Sequence, residues 1–439
     1  MYILMKNGGT LMQNAAAIVY TGCTEIMHNN RPDSLREVVF RPIIEWVNEA
    51  LDKAEITDRC YVINEGEDAV KEYIKESPVI IRKPQSGHPV FSAKEWISEH
   101  KESDILVIGA EAVFTDADVL GAAFRRHVEQ NEKLTIIASG GREALMKELP
   151  VSAFWIKPGF LEEAMEKADE NDVNGNMFLV GAMKILSDNS LVAGTHIAGK
   201  KEINMRANDP AGFLTLNAAA RTVIFKKLCA EGVEFMCLDG IIIEPSVKIG
   251  AGTKILPGTI IKGNTEIGEN CVIGPNSYIE DSKIGNGTEV NNTQIRSSVL
   301  EEDVKIGPWS QVRPGSLIHK GCKIGDFVEI KNSEVGARTA VAHLTYIGDA
   351  TVGEAVNFGC GCCIANYDGQ HKHRTVIGDH AFLGCNTNLI APVELEDFAY
   401  TAAGTTVTKD VPEYALAVGR AKQQNIEGWV KKHDAIKIK

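Results

Sequence analysis

Isoleucine and valine recur every six residues through long stretches of the second half of this chain. The two clearest series are Ile249, Ile255, Ile261, Ile267, Ile273 and Ile279, then Ile306, Val312, Ile318, Ile324 and Ile330. A six-residue period fits neither an α-helix nor an alternating strand, but it is the period of the hexapeptide repeat, in which three hexads close one triangular coil. The pattern predicts a left-handed parallel β-helix over residues 238–418, with about ten coils of roughly 18 residues each.

The first half has a different pattern. Residues 15–20, 104–109 and 134–139 are apolar runs of strand length, and residues 40–54 carry apolar side chains at helical spacing. Buried strands that alternate with helices are typical of a doubly wound, Rossmann-like α/β domain with a mostly parallel sheet. We predict such a domain, of the nucleotidyltransferase-like kind, at residues 1–212.

Two further segments complete the predicted organisation. Residues 213–231 have apolar positions at helical spacing, so residues 213–237 are predicted to form a helical connector. The tail at 419–439 is rich in Lys and Gln and contains Trp429. Because an exposed indole is costly in water, we expect this tail to dock on another surface.

Charge and cysteine usage narrow the classes of partner. The formal net charge is −13, which argues against nucleic acid and against an anionic membrane surface. No apolar run approaches the length of a membrane span. The ten cysteines are scattered without a disulfide framework, so a reducing, cytoplasmic location is the simplest expectation.

Charged side chains interrupt the plain repeat between residues 311 and 375. Arg313 and Lys331 are three hexads apart, which is one full coil, so they are predicted to lie on the same edge of adjacent coils. Two cations placed in this way suit one phosphate. Lys372 follows on a predicted loop and could close over the same anion. The alternative for any one of these residues is a surface ion pair of little energetic value.

A candidate general base lies in the same region. Glu329 and His343 fall within one coil of each other, and a carboxylate beside an imidazole fixes its tautomer and stabilises the imidazolium. Glu329 could instead pair with Lys331. Asn357, Asn366 and Tyr367 offer further hydrogen-bonding groups to a polar ligand.

The run Cys360-Gly361-Cys362-Cys363 admits two interpretations. Zinc requires about four ligands in tetrahedral geometry, whereas successive residues of a strand point to opposite faces. We therefore expect small buried apolar residues here and no metal.

Residues 307–429 resemble the acetyltransferase domain of a known family. The matching segments are VRPGS, GDFVEIKNSEVG, AHLTYIGDA, NYDG followed by HKHRTVIGD, APVELEDFAYTAAGTTVTKDVP, and EGW in the tail. They are similar to those of the bacterial bifunctional N-acetylglucosamine-1-phosphate uridyltransferase / glucosamine-1-phosphate N-acetyltransferase (GlmU-type) family. The resemblance implies transfer of acetyl from acetyl-CoA to the amine of glucosamine 1-phosphate, for UDP-N-acetylglucosamine and cell-wall precursor synthesis. It also implies a homotrimer whose sites are shared between neighbouring β-helices.

The same resemblance implies roles for individual residues. It makes His343 the general base, and it implies that the C-terminal tail completes the acetyl-CoA site. The implied sugar-phosphate ligands are Arg313, Lys331, Tyr346, Asn357 and Lys372, and the implied acetyl-CoA contacts are Cys360, Asn366, Tyr367, Cys385, Ala403 and Arg420. The family usually has Ala and Ser where this chain has Cys360 and Cys385.

The first domain resembles the family's uridyltransferase domain weakly over residues 17–47. Ile26 and Asp33 stand where the family has a triphosphate-binding Arg and Lys, and an Asp at that point reverses a charge in a polyanion site. Glu111 and Asn208 stand near the positions of the family's metal ligands. We therefore predict that the uridyltransferase activity is lost, with Mg²⁺ needed only if the domain is active.

Three alternatives stay open at this point. The first domain could retain a sugar-1-phosphate nucleotidyltransferase activity. The β-helix could acetylate a different amino-sugar phosphate. Both domains could instead form a non-catalytic trimer that binds sugar phosphates.

Overall fold

The structure is a computed structural model with two compact units, residues 1–224 and 225–439. The boundary between the units falls inside one long helix, Pro210–Ala230. The residues that it describes are 12, 14–22, 32–74, 76–83, 87–141, 151–167, 176–206 and 210–433.

A mixed sheet forms the centre of the first unit. Its strand order is β5-β4-β1-β6-β8-β7-β9, and only the pairings of β8 with β6 and β7 are antiparallel. The three strands predicted from sequence are β1, β6 and β7, so the predicted α/β fold class is confirmed. The strands, including a small β2–β3 hairpin, are β1 (Ala15–Tyr20), β2 (Glu37–Val38), β3 (Arg41–Pro42), β4 (Arg59–Asn64), β5 (Val79–Arg82), β6 (Asp104–Gly109), β7 (Leu134–Ala138), β8 (Ala153–Ile156) and β9 (Gly194–Ile197).

The predicted helix at residues 40–54 begins three residues later than expected. Val39 and Phe40 have positive φ, and Pro42 caps the helix with a fixed extended conformation, so helical geometry starts at Ile43. The described helices are α1 (Ile43–Lys53), α2 (Lys71–Ile74), α3 (Lys94–Glu99), α4 (Ala117–Glu129), α5 (Pro158–Lys167), α6 (Asn176–Asp188), α7 (Pro210–Ala230) and α8 (Trp429–Lys432), with 3₁₀ turns at Asp33–Leu35, Asp68–Val70 and Pro89–Ala93.

A histidine belongs to the apolar core of the first unit. The ring of His88 stacks on Phe178 with centroids 4.8 Å apart and lies 5.6 Å from the ring of Tyr20. Burial lowers the pKa of His88 to about 3, and the charges of Arg82 and Arg206 act in the same direction. The imidazole is therefore neutral and acts as a packing group.

The second unit is a three-sided coil, which confirms the predicted parallel β-helix. In its described residues, three parallel sheets contain eleven, ten and nine strands, and the chain passes from face one to face two to face three in each coil. Face one consists of Glu234–Phe235, Lys254–Ile255, Val272–Ile273, Glu289–Val290, Lys305–Ile306, Lys323–Asp326, Ala340–His343, Asn357–Phe358, Phe382–Leu383, Tyr400–Thr401 and Leu416–Ala417.

The other two faces repeat the same arrangement. Face two consists of Ile242–Ile243, Ile260–Lys262, Tyr278–Glu280, Gln294–Arg296, Gln311–Val312, Glu329–Lys331, Tyr346–Gly348, Cys363–Ala365, Asn388–Ile390 and Thr406–Val407. Face three consists of Lys248–Ile249, Glu266–Ile267, Lys283–Ile284, Val299–Leu300, Leu317–Ile318, Glu334–Val335, Ala350–Val352, Thr375–Ile377 and Glu394–Leu395.

The repeated aliphatic residues stack inside the coil. Ile261 pairs in register with Ile279, and Ile279 with Ile295, and none of the three has any exposed surface. Neighbouring coils are not all the same length, because Ile284 follows Ile279 after five residues rather than six. One residue less in a turn leaves the stack intact while it shifts the sequence period.

A second buried column consists of hydroxyl residues two positions before many of the aliphatic ones. Thr253 donates from Oγ1 to the carbonyl of Gly268 at 2.8 Å and accepts from the amide of Cys271 at 3.0 Å. These bonds satisfy backbone groups at the turns between coils, where the strand ladder does not reach.

None of the described helices is long and apolar enough to cross a membrane. In the tail, the indole of Trp429 is 48% exposed and its ring lies 4.7 Å from that of His433. Docking of the tail on another surface stays a prediction.

The stack predicts an unequal sensitivity of two neighbours on one strand. Ile273 is fully buried, whereas Val272 is 36% exposed. Ile273→Ala should lower the free energy of unfolding of the second unit by about 2–5 kcal/mol, since it leaves a cavity. Val272→Ala is the matched control and should cost less than about 1 kcal/mol. Urea unfolding followed by circular dichroism measures both, and equal losses would contradict a stack that depends on the inward residues.

Candidate functional site: two corners of the β-helix

Three cations meet where face two passes into face three. Gln311 pairs with Glu329 and Val312 with Ile330, so Arg313 and Lys331 lie one above the other on adjacent coils, as predicted. The loop at 366–374 brings the ammonium of Lys372 directly beside that of Lys331. We call Arg313, Lys331 and Lys372 the cation corner.

The charges of the cation corner act on one another. The ammonium of Lys372 is the largest cause that lowers the pKa of Lys331, followed by partial burial, and Arg313 contributes in the same direction. Asp349 opposes these effects. An anion that contacts all three cations would relieve their mutual repulsion, so the charges of this corner favour an anionic ligand.

Asp349 is the counter-charge of this corner and was not identified from sequence. It is 6% exposed, accepts from Asn332 Nδ2 at 2.6 Å, and accepts a second hydrogen bond from Asn366. Burial raises the pKa of Asp349, but the two amides and the charges of Lys331 and Lys372 outweigh burial, so its pKa lies below the ordinary value. The available signal was its separation of three hexads from Lys331, the same sequence separation that relates Lys331 to Arg313.

Tyr346 lies on face two next to this corner. Its phenol ring folds over Gly348, where any side chain would collide with the hydroxyl group. Burial raises the pKa of Tyr346, while a hydrogen bond with Asn366 acts in the opposite direction. The tyrosine is therefore a neutral hydrogen-bonding group beside the cations.

The expected pairing of Glu329 with His343 is wrong. Glu329 Oε1 accepts from Arg313 Nη1 at 2.7 Å. The carboxylate on His343 is Asp326, whose Oδ1 lies 2.6 Å from the imidazole Nδ1. The reason is register, since Asp326 is paired with His343 on face one, whereas Glu329 is paired with Tyr346 on face two.

The Asp326–His343 pair has the geometry of an oriented base. The hydrogen bond with His343 is the main cause that lowers the pKa of Asp326, so this carboxylate is ionised at neutral pH. A carboxylate that accepts from Nδ1–H leaves Nε2 as the basic nitrogen. The imidazole is 56% exposed and borders an open groove of about 390 Å³ on face one.

His343 begins a column of predicted acetyl-CoA residues at the corner between faces one and two. The residue after each member of the column donates its backbone N–H to the carbonyl of the column member on the preceding coil. Four of these residues therefore share one edge with the base. The bonds are Leu344 to Asp326 (2.9 Å), Gly361 to His343 (3.4 Å), Asn386 to Cys360 (2.8 Å) and Gly404 to Cys385 (2.8 Å), and Arg420 Nη1 donates to Ala403 (2.6 Å). We call Asp326, His343, Cys360, Cys385 and Ala403 the histidine corner.

Three predicted site residues lie elsewhere on the coil. Asn366 donates to Asp349 beside the cation corner, and Tyr367 next to it is 60% exposed, with its hydroxyl donating to the carbonyl of Gly369 at 2.7 Å. Asn357 lies on face one, in register with Ala340.

Within one chain, the two corners lie at opposite ends of face two. The strand Tyr346–Gly348 separates His343 from the coil edge that carries Lys331. The imidazole and the cation pair of one chain therefore lie on different edges of the coil. Lys331 and His343 are two hexads apart rather than three, which places them on neighbouring coils but on different edges.

The described residues contain no group of three or more His, Cys, Asp or Glu side chains arranged to hold a metal ion. Cys362 points inward, with 3% exposure, and its Sγ donates to the carbonyl of Gly384 at 3.4 Å. Burial raises the pKa of Cys362 to about 11, so its thiol stays protonated.

The first unit presents a different arrangement at the carboxyl ends of its strands. Glu111, a candidate metal ligand, forms an ion pair with Arg206 at 3.6 Å. Asp33 begins a 3₁₀ turn and lies 3.8 Å from Arg36. The positions of Ile26 and Asn208 lie outside the described residues.

The cation corner predicts an unusual pH dependence of anion binding. Because the pKa of Lys331 is lowered, its charge is present at neutral pH and is lost as pH rises through a value below that of an ordinary lysine. Affinity for inorganic phosphate should therefore fall on alkalinisation, and Lys372→Met should move that fall to higher pH, while lowering affinity throughout. Lys331→Met should weaken binding by roughly 10–100-fold.

Isothermal titration with inorganic phosphate between neutral and alkaline pH measures this dependence. Lys320→Met is the control, since Lys320 is exposed and paired with Glu302 on another edge. An unchanged pH profile in Lys372→Met would contradict the coupling of the two lysines.

Comparison with known protein families identifies the repeat of the second unit. The family of bacterial transferase hexapeptide repeats matches residues 246–281 and 297–332. Among solved structures, the match to LpxA from Acinetobacter baumannii spans 43% of this chain and 71% of the LpxA chain, with 17% identity and a TM-score of 0.27.

Full-length relatives extend the similarity to both units. Bifunctional protein GlmU of Acetivibrio thermocellus is 34% identical over 94% of this chain and 96% of its own length. Those of Clostridium perfringens (strain SM101) and Thermosipho melanesiensis are 35% and 34% identical, over 96% and 94% of this chain and 99% and 96% of their own lengths. The chain therefore belongs to the family of bifunctional GlmU proteins, and its second unit is a β-helix of the bacterial hexapeptide transferases.

Proposed function

We propose that the β-helix transfers the acetyl group of acetyl-CoA to the amine of glucosamine 1-phosphate, in the synthesis of UDP-N-acetylglucosamine for cell-wall precursors. The observation that carries this proposal is the histidine corner. An imidazole oriented by Asp326 heads an edge on which Cys360, Cys385 and Ala403 succeed one another. A base at the end of a long edge suits a long thioester substrate.

His343 supplies the proton acceptor in this reaction. The amine must lose a proton as it attacks the thioester carbonyl, and Nε2 of His343 is the nitrogen that takes it. Asp326 then stabilises the imidazolium through Nδ1–H, at the 2.6 Å contact already present. The departing thiolate is a good leaving group, so a covalent enzyme intermediate is not required.

The cation corner suits the phosphate of the acceptor. Glucosamine 1-phosphate carries a dianionic phosphate, for which Arg313 offers a planar fork and the two lysines offer point charges. Glu329 holds the Arg313 guanidinium by its 2.7 Å contact. Glu329 is thus a positioning residue for the phosphate clamp rather than a partner of the base.

The separation of the two corners favours a shared site. The amine and the phosphate of the acceptor are attached to adjacent ring carbons, so the base and the clamp that contact one molecule must lie close together. His343 and Lys331 of one chain flank opposite ends of face two. We therefore propose a homotrimer in which the histidine corner of one protomer faces the cation corner of the next.

Such an arrangement also accounts for the scattered acetyl-CoA candidates. Cys360, Cys385, Ala403 and Arg420 would come from one protomer, and Asn366 and Tyr367 from its neighbour. Asn357, on the face that carries His343, would approach the sugar from the side of the base.

The first unit is proposed to have lost uridyltransferase activity. Glu111 is paired with Arg206 at 3.6 Å, and His88 is a buried packing group with its pKa lowered to about 3 by burial. Asp33 introduces a negative charge where a triphosphate would need a positive one. Mg²⁺ would then have no catalytic role in this chain.

Removal of the base tests the acetyltransferase assignment. His343→Ala should lower kcat for acetyl-CoA and glucosamine 1-phosphate by about 10²–10⁴-fold, with little change in the Kd of the sugar phosphate. Release of CoA, measured with several amino sugars and their phosphates, gives the rate and the preferred acceptor. Failure of wild-type protein to release CoA with any of them would refute the assignment.

Two carboxylate variants, measured in the same assay, distinguish the partner of the base from the partner of the phosphate clamp. Asp326→Asn should lower kcat by roughly tenfold or more, because the imidazole loses its orienting partner. Glu329→Gln should act mainly on the KM of the sugar phosphate. A reversal of these two effects would restore Glu329 as the partner of the base.

Loss of the uridyltransferase activity is tested directly. The protein incubated with UTP, N-acetylglucosamine 1-phosphate and Mg²⁺ should release pyrophosphate no faster than a sample without enzyme. Acetyl transfer by the same sample is the positive control for folding. Rapid pyrophosphate release would overturn this part of the proposal.

A further inference from the structure

We propose that Cys360 and Cys385 form a dithiol site that small-molecule disulfides oxidise to a Cys360–Cys385 bridge, and that this bridge obstructs the edge of the histidine corner on the coils that follow His343. The existence of the site rests on the geometry of the histidine corner alone. Its effect on acetyl transfer rests on the proposed function.

The two cysteines occupy equivalent positions on adjacent coils. Asn357 pairs with Phe382 and Phe358 with Leu383, and the amide of Asn386 continues the ladder by bonding to the carbonyl of Cys360 at 2.8 Å. Adjacent strands are about 4.8 Å apart. That separation is within the roughly 4.4–6.8 Å between Cα atoms that a disulfide spans.

The local backbone directs both side chains the same way. Each cysteine is followed by a residue with positive φ, Gly361 at 76° and Asn386 at 57°, so the chain turns in the same way after both cysteines. Parallel Cβ vectors at coil spacing need to approach by only about 1 Å to reach disulfide geometry. Rotation about χ1 of each cysteine brings the two Sγ atoms together, and a small shift of the two backbones supplies the approach of the Cβ atoms.

Close contact between the coils holds the thiols at this spacing. A Cβ atom on Gly359 would stand 2.5 Å from the amide nitrogen of Cys385, and one on Gly384 would stand 2.5 Å from that of Ala403. Glycine directly before each cysteine therefore lets the coils meet without an intervening side chain. The pair is held by the β-helix itself, not by a mobile loop.

Exposure separates this pair from the other thiols nearby. Cys385 is exposed and Cys360 is partly exposed, whereas Cys362 is buried. The thiols of Cys360 and Cys385 both raise the pKa of Cys362, which shows that they lie near it. Cys363 points out of face two, away from the corner, and burial raises its pKa.

The chemistry balances with one equivalent of a disulfide. The thiolate of Cys385 attacks one sulfur of the small molecule, forming a mixed disulfide and releasing one thiolate. The thiolate of Cys360 then attacks Sγ of Cys385, forming the bridge and releasing the second thiolate. Two protein thiols are oxidised, the small disulfide is reduced to two thiols, and the protons from the two cysteines go to solvent or to the released thiolates.

The experiment uses the full chain and oxidised glutathione as the probe. Peptide mass mapping after quenching should find Cys360 and Cys385 joined, with the loss of two hydrogen atoms. Acetyl transfer by the oxidised sample should fall to a small fraction of that of the reduced sample, and dithiothreitol should restore it. Saturating CoA should slow formation of the bridge.

Variants identify the thiols responsible. For Cys360→Ser and for Cys385→Ser, acetyl transfer is measured on oxidised and on reduced protein. The ratio of the oxidised rate to the reduced rate should approach one in both variants, whatever the rate of the reduced protein. Cys363→Ser is the matched control and should keep the wild-type response.

Two outcomes would overturn the proposal. One is glutathione attached to the separate thiols with no bridge between them, and the other is a complete bridge that leaves acetyl transfer unchanged. Mass mapping does not depend on activity. A bridge in a protein whose reduced form transfers no acetyl group would therefore refute the proposed function while it supports the dithiol site.

Discussion

Register between parallel coils is the constraint on which the second unit depends. Each inward aliphatic residue stacks on its counterpart one coil away, as Ile261, Ile279 and Ile295 do without any exposed surface. Because a one-residue slip would turn the whole series outward, the apolar stack fixes every outward position as well. The corners are therefore columns of side chains at about 4.8 Å spacing, and the candidate site inherits its geometry from the core.

The same constraint explains which parts of the site could be predicted from sequence. Arg313 and Lys331 are three hexads apart, and because this coil keeps its full length, the structure places them one above the other. Glu329 and His343 are separated by less than one coil, which identifies neighbouring coils but not the edge. Register alone decides that Asp326 meets the imidazole. The loop at 366–374, which adds residues to one coil, is outside the reach of any fixed period, so the contact between Lys372 and Lys331 required the structure.

The two corners differ in how their charges are satisfied. At the histidine corner, one carboxylate and one imidazole form a closed pair with a single nitrogen left for a ligand. At the cation corner, three positive side chains lie close together, and Asp349 and Glu329 offset them only in part. Like charges at this distance disfavour one another, which is why the pKa of Lys331 is lowered. A bound dianion would turn that repulsion into attraction, so the corner gains more from a phosphate than an isolated lysine does.

In the first unit, by contrast, polar side chains at the edge where α/β sheets bind ligands are already hydrogen-bonded to one another. There, Asn64 donates to Thr21 and accepts from Arg82 Nε at 2.8 Å, and Arg82 also donates to the carbonyl of Gly87 at 3.1 Å. Glu111 is held by Arg206. Polar groups that satisfy one another inside the fold gain little from a ligand, because binding would first break their existing hydrogen bonds. Charged groups left close together on an exposed corner gain much more from a ligand, because binding breaks fewer existing contacts.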